Sequence, residues 1–185
     1  MESVRDVSGL AEAVQRGERV RYLMFWGHRA PRGGGVGAGC LSQWWPATFV
    51  VDGVSYSSAE HFMMAAKARL FGDEEMAAAI VAASHPKQAK DLGRRVRGFR
   101  EEVWEAARFD VVVQGNLAKF GQNSELRDYL LKTGERVLVE ASPVDRVWGI
   151  GLAADDERAE RPEAWRGLNL LGFALMEVRE ALRGM

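Results

Sequence analysis

The apolar positions of this chain change their period along its length, and the changes mark its elements. Residues 7–17 carry a short helical pattern that Gly17 closes. From Arg19 to Trp26 the period falls to two, with Val20, Tyr22 and Met24 on one face, which predicts a strand. Gly27 to Gly39 holds six glycines and one proline and reads as a loop. Its glycines lack the strand–turn–helix setting of a phosphate-binding fingerprint, so they are read as flexibility. Phe49-Val50-Val51 and Val54-Ser55-Tyr56 flank Asp52-Gly53, a type I′ turn signal, and predict a hairpin over Ala47–Tyr56. A helix follows from Ser57 or Ser58 towards Phe71, where Gly72 stops it. An alanine-rich helix runs from Asp73 to about Ala83, and Pro86 opens another to about Val96. Glu101 to Phe120 is the longest helical pattern, interrupted only by Gly115 at an expected close packing contact. Asn123 or Ser124 caps a helix ending near Thr133-Gly134. Val137 to Val139 form an apolar run that ends on Glu140 and reads as a buried strand. After a charged surface loop, Asp155 to Pro162, an amphipathic helix closes the chain from Asn169 to Leu182, with Leu171, Leu175, Val178 and Leu182 on one side. Together these elements predict one α+β domain over residues 1–185, mainly helical with a small β-sheet.

Composition narrows the class. The 185 residues are 47% hydrophobic and 28% charged, enough for one domain with a real core. A formal charge of −1 supplies no basic field to draw in nucleic acid, which leaves open a nucleotide or a modified nucleic-acid end bound in a pocket. The single cysteine, Cys40, excludes an internal disulfide, and a reducing cytoplasm fits best. His28, His61 and His85 are widely separated and form no ligand-spaced pair, so neither a metal nor a cofactor is expected. The stretch Met1–Asp6 lacks the apolar core of a signal peptide, and no segment approaches the roughly 20 apolar residues of a membrane span. Six tryptophans exceed ordinary usage; some serve the core and others are available as stacking walls.

Three places concentrate polar chemistry. The first is Glu140-Ala141-Ser142-Pro143-Val144-Asp145-Arg146-Val147-Trp148-Gly149-Ile150-Gly151, where a buried strand delivers a polar loop with two carboxylates and an indole. Asp145 reads either as a turn residue or as a functional carboxylate. Trp148 to Gly151 reads either as a returning strand or as a place where Gly149 lets a ligand approach the backbone. The second is Glu60. Ser57-Ser58-Ala59-Glu60 matches a capping box, which would hold Glu60 at its own helix start. Yet positions 60, 63, 64 and 67 form one helical stripe, so Glu60 and Lys67 can face one pocket, one towards a sugar and one towards a phosphate. The third is Lys119-Phe120-Gly121-Gln122-Asn123, either a helix C-terminus or a pair of amides that read a base or ribose. Arg97 and Trp104 are candidate lining of the same pocket, though Trp104 also suits the core.

Taken together these segments resemble the YbiA-like family, also called NADAR. The resemblance rests on Leu41-Ser42-Gln43-Trp44-Trp45-Pro46, Tyr56-Ser57-Ser58-Ala59-Glu60-His61-Phe62-Met63-Met64-Ala65-Ala66-Lys67, Pro86 to Arg94, Lys119 to Asn123, Glu140 to Gly151, Asn169 to Gly172 and Leu175 to Arg179, and it covers roughly residues 21–183. It implies a YbiA-like fold and hydrolysis of N-glycosidic bonds. Some members act on ribosylamino intermediates of early riboflavin synthesis and release ribose 5-phosphate. Others remove ADP-ribose from guanine in DNA. The implied partner is a small phosphorylated ribosyl substrate or an ADP-ribose moiety, the latter on DNA. A non-catalytic ADP-ribose or nucleotide module is the contrasting class. On the enzyme reading, Glu60 or Asp145 is the base and charge stabiliser, Trp44 and Trp148 stack on the base, and Lys67, Arg94 or Arg97 hold phosphate. Two departures stand near the expected pocket rim. Gln43, Trp44 and Trp45 replace a common Asn-Phe-Tyr, and the glycine-rich insert is long; both bear on substrate identity.

Overall fold

The computed structural model describes residues 4–185. Met1, Glu2 and Ser3, half of the stretch read above for a leader, lie outside the described residues. Among the described residues seven helices dominate: α1 Val7–Gln15, α2 Ala59–Leu70, α3 Glu74–Val81, α4 Pro86–Gly93, α5 Glu101–Gln122, α6 Ser124–Lys132 and α7 Leu170–Arg183. Strand content falls in two separate two-stranded sheets rather than the one sheet expected. β1 (Tyr22–Phe25) pairs parallel with β4 (Val137–Glu140), and β2 (Phe49–Val51) pairs antiparallel with β3 (Val54–Tyr56). The β1–β4 register runs from Tyr22 beside Val137 to Phe25 beside Glu140. The strand expected over 19–26 is therefore limited to the four residues its partner can match.

Strand β4 explains its own apolar run. Leu138 packs into the main core, while Val137 and Val139 point the other way, against Leu10, Ile150 and Phe173. A strand buried on both faces must be apolar at every position. Each of these side chains contributes roughly 1.5–3 kcal/mol by leaving water. The open edge of β4 is closed by a side chain. Asn169 accepts from the Glu140 N–H at 3.0 Å and donates to the Leu138 carbonyl at 3.0 Å. It does so from a left-handed backbone (φ 51°), which asparagine tolerates better than most residues. Gly172 lies directly over this junction, where a Cβ would overlap the Leu138 carbonyl.

Local chemistry sets the other elements. Asp52 (φ 50°) and Gly53 (φ 77°) supply the two positive angles a type I′ hairpin needs. Gly115 lets α5 close on α2, since a Cβ there would overlap the Phe62 ring. The start of α2 differs from the capping-box expectation by one residue. Ser58, not Ser57, is the N-cap: its Oγ accepts from the His61 N–H at 3.4 Å and bonds the His61 ring Nδ1 at 2.7 Å. The other ring nitrogen reaches the Ala83 carbonyl at 3.0 Å, which ties α2 to the end of α3. Glu60 is thereby released from capping duty.

Candidate active site

Five segments converge on one cavity of about 210 Å³. Helix α2 presents Glu60, Met63, Met64 and Lys67, the stripe the helical period marks out. The segment before the hairpin contributes Ser42, Gln43 and Trp44, helix α4 contributes Lys90, Gly93 and Arg94, and the start of α7 adds Leu171. Strand β4 and the loop after it bring Glu140, Asp145 and Trp148.

That loop is not a returning strand. The Asp145 carboxylate accepts from the backbone N–H groups of Val147 and Trp148, both at 2.8 Å, and the Ser142 hydroxyl accepts from the Asp145 N–H at 3.2 Å. The Ile150 N–H returns to the Glu140 carbonyl at 3.0 Å. One oxygen of Asp145 therefore organises the turn that positions Trp148, while the residue still faces the cavity, so both readings of Asp145 hold at once. Gly149 plays a packing part instead of the ligand contact expected for it. A Cβ there would come within 2.8 Å of the Glu140 carbonyl, so its bare backbone lets the loop fold back on β4.

The two glutamates are chemically unusual. Glu60 is only 3% exposed, and its Oε1 meets no donor; Glu140 Oε2 is orphaned in the same way. Burial pushes the Glu60 carboxyl up to about 7, against the pull of Lys90 and of the Trp44 indole N–H turned toward it. Burial, reinforced by the charge of Asp145, pushes Glu140 up to about 8, again opposed by Lys90. Two buried carboxyls with unsatisfied oxygens in one cavity are costly to the fold, and sites of this kind concentrate where proton transfer is done. Lys90 is the cation common to both. Its ammonium lies 5.9 Å from the Trp44 ring, and Trp44 is braced edge-on by His85 at 6.0 Å.

Several expected residues lie elsewhere or are engaged. Arg97 is committed to an ion-pair cluster, donating to the buried Asp73 at 2.6 Å and to Glu75 at 3.0 Å, and does not line the cavity. Gln122 pairs both ends of its amide with the Val50 backbone at 2.8 Å, acting as a surrogate strand for β2. Asn123 donates to the carbonyls of Thr48 and Lys119. These two amides anchor the hairpin rather than face the cavity. Trp104 is 8% exposed and packs in the core. Lys67 does line the cavity, but its ammonium donates to the Gly93 carbonyl at 2.9 Å and lies 4.2 Å above the Phe99 ring. Arg94 reaches the cavity beside Asp91, which it contacts at 3.3 Å.

Sequence reasoning missed Lys90 as a site residue and gave Gln43 no role. The signal for Lys90 was present, because 90, 93 and 94 share one helical face and Arg94 was already a candidate. Lys119 does stand in the last turn of α5, as expected, but its side chain has a second part that the sequence did not reveal. It is wholly buried and donates to the carbonyls of Cys40 and Ser42 at 2.7 and 2.8 Å, which fixes the segment that carries Gln43 and Trp44. Among the described residues, no group of three or more His, Cys, Asp or Glu is arranged to hold a metal ion, and no helix is long and apolar enough to cross a membrane.

Comparison with known proteins places the chain in a family. The family model of the NADAR domain matches residues 24–183. The chain is 42% identical over 168 residues to an N-glycosidase of Acanthamoeba polyphaga mimivirus, covering 88% of this chain and 97% of that protein. It is 36% identical over 139 residues to the N-glycosidase YbiA of Escherichia coli, covering 75% and 76% respectively. The NMR structure of Escherichia coli YbiA matches with a TM-score of 0.67 and 28% identity, over 89% of this chain and 88% of that one.

Proposed function

This chain belongs to the NADAR family and is a hydrolase acting on N-glycosyl bonds; we propose that its substrate is a ribosylamino-pyrimidine 5′-phosphate, from which it releases ribose 5-phosphate. The observation that carries this reading is the pair of buried, incompletely bonded carboxyls, Glu60 and Glu140, in a cavity walled by two indoles. Cleaving a ribosyl C–N bond builds positive charge at C1′, needs a base for water and needs an acid for the departing nitrogen. That division of labour parallels the two-carboxyl logic of O-glycoside hydrolysis.

In this mechanism Glu60, the glutamate whose ionised form is favoured by Lys90, the Trp44 indole N–H and Arg94, faces C1′ as a carboxylate. It stabilises the oxocarbenium-like charge and takes a proton from the attacking water as the new C1′–O bond forms. Glu140, whose protonated form is favoured by burial and by the charge of Asp145, gives its proton to the nitrogen as the C1′–N bond breaks. The released amine is neutral, and the Glu60 proton returns to Glu140 through solvent to close the cycle. Asp145 shapes the loop and keeps the Glu140 proton in place by its charge. Trp44 and Trp148 flank the base. Lys90 and Arg94, with the remaining donors of Lys67, form the cationic side that takes the phosphate.

The size of the cavity supports the smaller substrate. At about 210 Å³ it falls below the roughly 300–1,000 Å³ of sites that enclose drug-sized ligands. A ribosyl phosphate suits that volume better than a whole ADP-ribose, which would leave its adenosine outside. The test is to incubate the protein separately with the ribosylamino-pyrimidine phosphate and with an ADP-ribosylated guanine in a DNA oligomer, following products by mass spectrometry. Release of ribose 5-phosphate from the first is the expected result. Release of ADP-ribose from the second alone would replace this substrate with the ADP-ribosyl one.

A further inference from the structure

The amide of Gln43 has its orientation fixed from behind. Asn116, on α5 and fully buried, donates through Nδ2 to the Val112 carbonyl at 2.9 Å. A backbone carbonyl only accepts, so this bond decides which end of the Asn116 amide is nitrogen. The same nitrogen lies 2.7 Å from the side-chain oxygen of Gln43. The Gln43 end nearest Asn116 is therefore the acceptor. Its Nε2, with two donor hydrogens, has no acceptor within the described protein and is not sealed in the interior, while the residue lines the cavity. The backbone of Gln43 is tied to the catalytic region as well, because its carbonyl accepts from the Glu60 N–H at 3.0 Å.

These relations place an oriented hydrogen-bond donor in the cavity that Glu60 also lines. We propose that Gln43 is a specificity-determining residue whose Nε2 donates to the 2′-oxygen of the ribosyl group, with Asn116 as its positioning residue. This rests on the ribosyl reading of the preceding subsection. The 2′-oxygen is the substituent next to C1′, and hydrogen bonds there strengthen as C1′ flattens towards the transition state. Such a donor favours ribosyl over 2′-deoxyribosyl substrates, because the analogue leaves Nε2 unpaired.

The test compares kcat/KM for a ribosylamino 5′-phosphate and for its 2′-deoxy counterpart in three proteins: wild type, Gln43→Met and Asn116→Asp. The Met variant keeps side-chain length and removes both donors. The Asp variant carries at most one donor hydrogen where the Asn116 amide nitrogen carried two, so the Gln43 oxygen competes with the Val112 carbonyl for it and the Gln43 amide is no longer fixed with its nitrogen to the cavity. In both variants the ribosyl-to-deoxyribosyl ratio is expected to fall about tenfold relative to wild type, mainly through the ribosyl substrate. A ratio unchanged in the variants overturns the inference, whatever happens to the absolute rates, because a merely structural defect slows both substrates alike. Melting curves establish that each variant is folded, and either folded variant suffices. A wild-type protein inactive on the ribosyl substrate would remove the underlying substrate reading instead, a result visible before any variant is made.

Discussion

Glu60 and Glu140 turn into one cavity from a helix and a strand far apart in the chain, and each keeps one carboxylate oxygen without a donor. Neither is left bare by accident of local structure. Ser58 takes the capping role that would have engaged Glu60, and Asn169 fixes the Glu140 backbone while leaving its carboxyl free. Their burial raises both pKa values into the range where a proton can be taken and given near neutral pH.

The pH dependence of kcat/KM follows from that pair. Glu60 must be ionised, so activity rises as pH passes about 7; Glu140 must be protonated, so activity falls above about 8. A narrow bell with its maximum between those values is expected, its two limbs belonging to the coupled pair rather than to single residues. A profile that still climbs well beyond pH 9 would exclude Glu140 as the acid.

Glu60→Gln is expected to lower kcat by about 10²–10⁴-fold, the range for loss of a proton-transfer group. Its effect on stability has a definite sign. The folded-state pKa of Glu60 is raised, so its contribution is fully present below about 4.5 and is lost as pH rises to about 7. Relative to wild type, the variant should therefore gain stability with rising pH, by about 1–3 kcal/mol at pH 8. Melting temperatures at pH 5 and pH 8 check this.

Lys90→Met removes the cation that holds both glutamates down. Both limbs of the pH profile should move upward, and KM for a phosphorylated substrate should rise. A shift of KM with fixed limbs would place Lys90 on the phosphate alone.

Arg97→Ala should leave kcat/KM close to wild type, since Arg97 serves Asp73 and Glu75 rather than the cavity. It should lower the melting temperature at neutral pH by leaving the buried Asp73 with backbone donors but without its guanidinium partner. Asp73 is held at about 2 by this contact, so the deficit should shrink as pH falls through 4 towards 2. Loss of activity without loss of stability would return Arg97 to the site.

Gly172→Ala tests the junction of α7 with β4. The added methyl would overlap the Leu138 carbonyl and the Asn169 amide. A destabilisation of about 1–3 kcal/mol or more is expected, because backbone cannot yield as a flexible side chain can. Denaturant midpoints measure it.

Much of this protein was legible in its sequence because the deciding physics is local. Asp52-Gly53 had to make a type I′ turn, since both positions accept positive φ. The stripe 60, 63, 64, 67 had to share a face, since helical geometry alone places it, and all four line the cavity. The resemblance to a family, spread over several ordered motifs, agreed with the fold and with the bond that is cut. The start of α2 was a near miss, because adjacent serines offer two caps and only the His61 contact, closed by the Ala83 carbonyl, selects one. What the chain could not reveal locally were partners brought from afar. Gln122 and Asn123 look like ligand-reading amides until β2 arrives to use them, and Arg97 looks like a phosphate anchor until Asp73 claims it. The pKa values of Glu60 and Glu140 belong wholly to tertiary structure, because a carboxyl in a short segment is wet, and only burial among distant segments removes the water that would keep it ordinary.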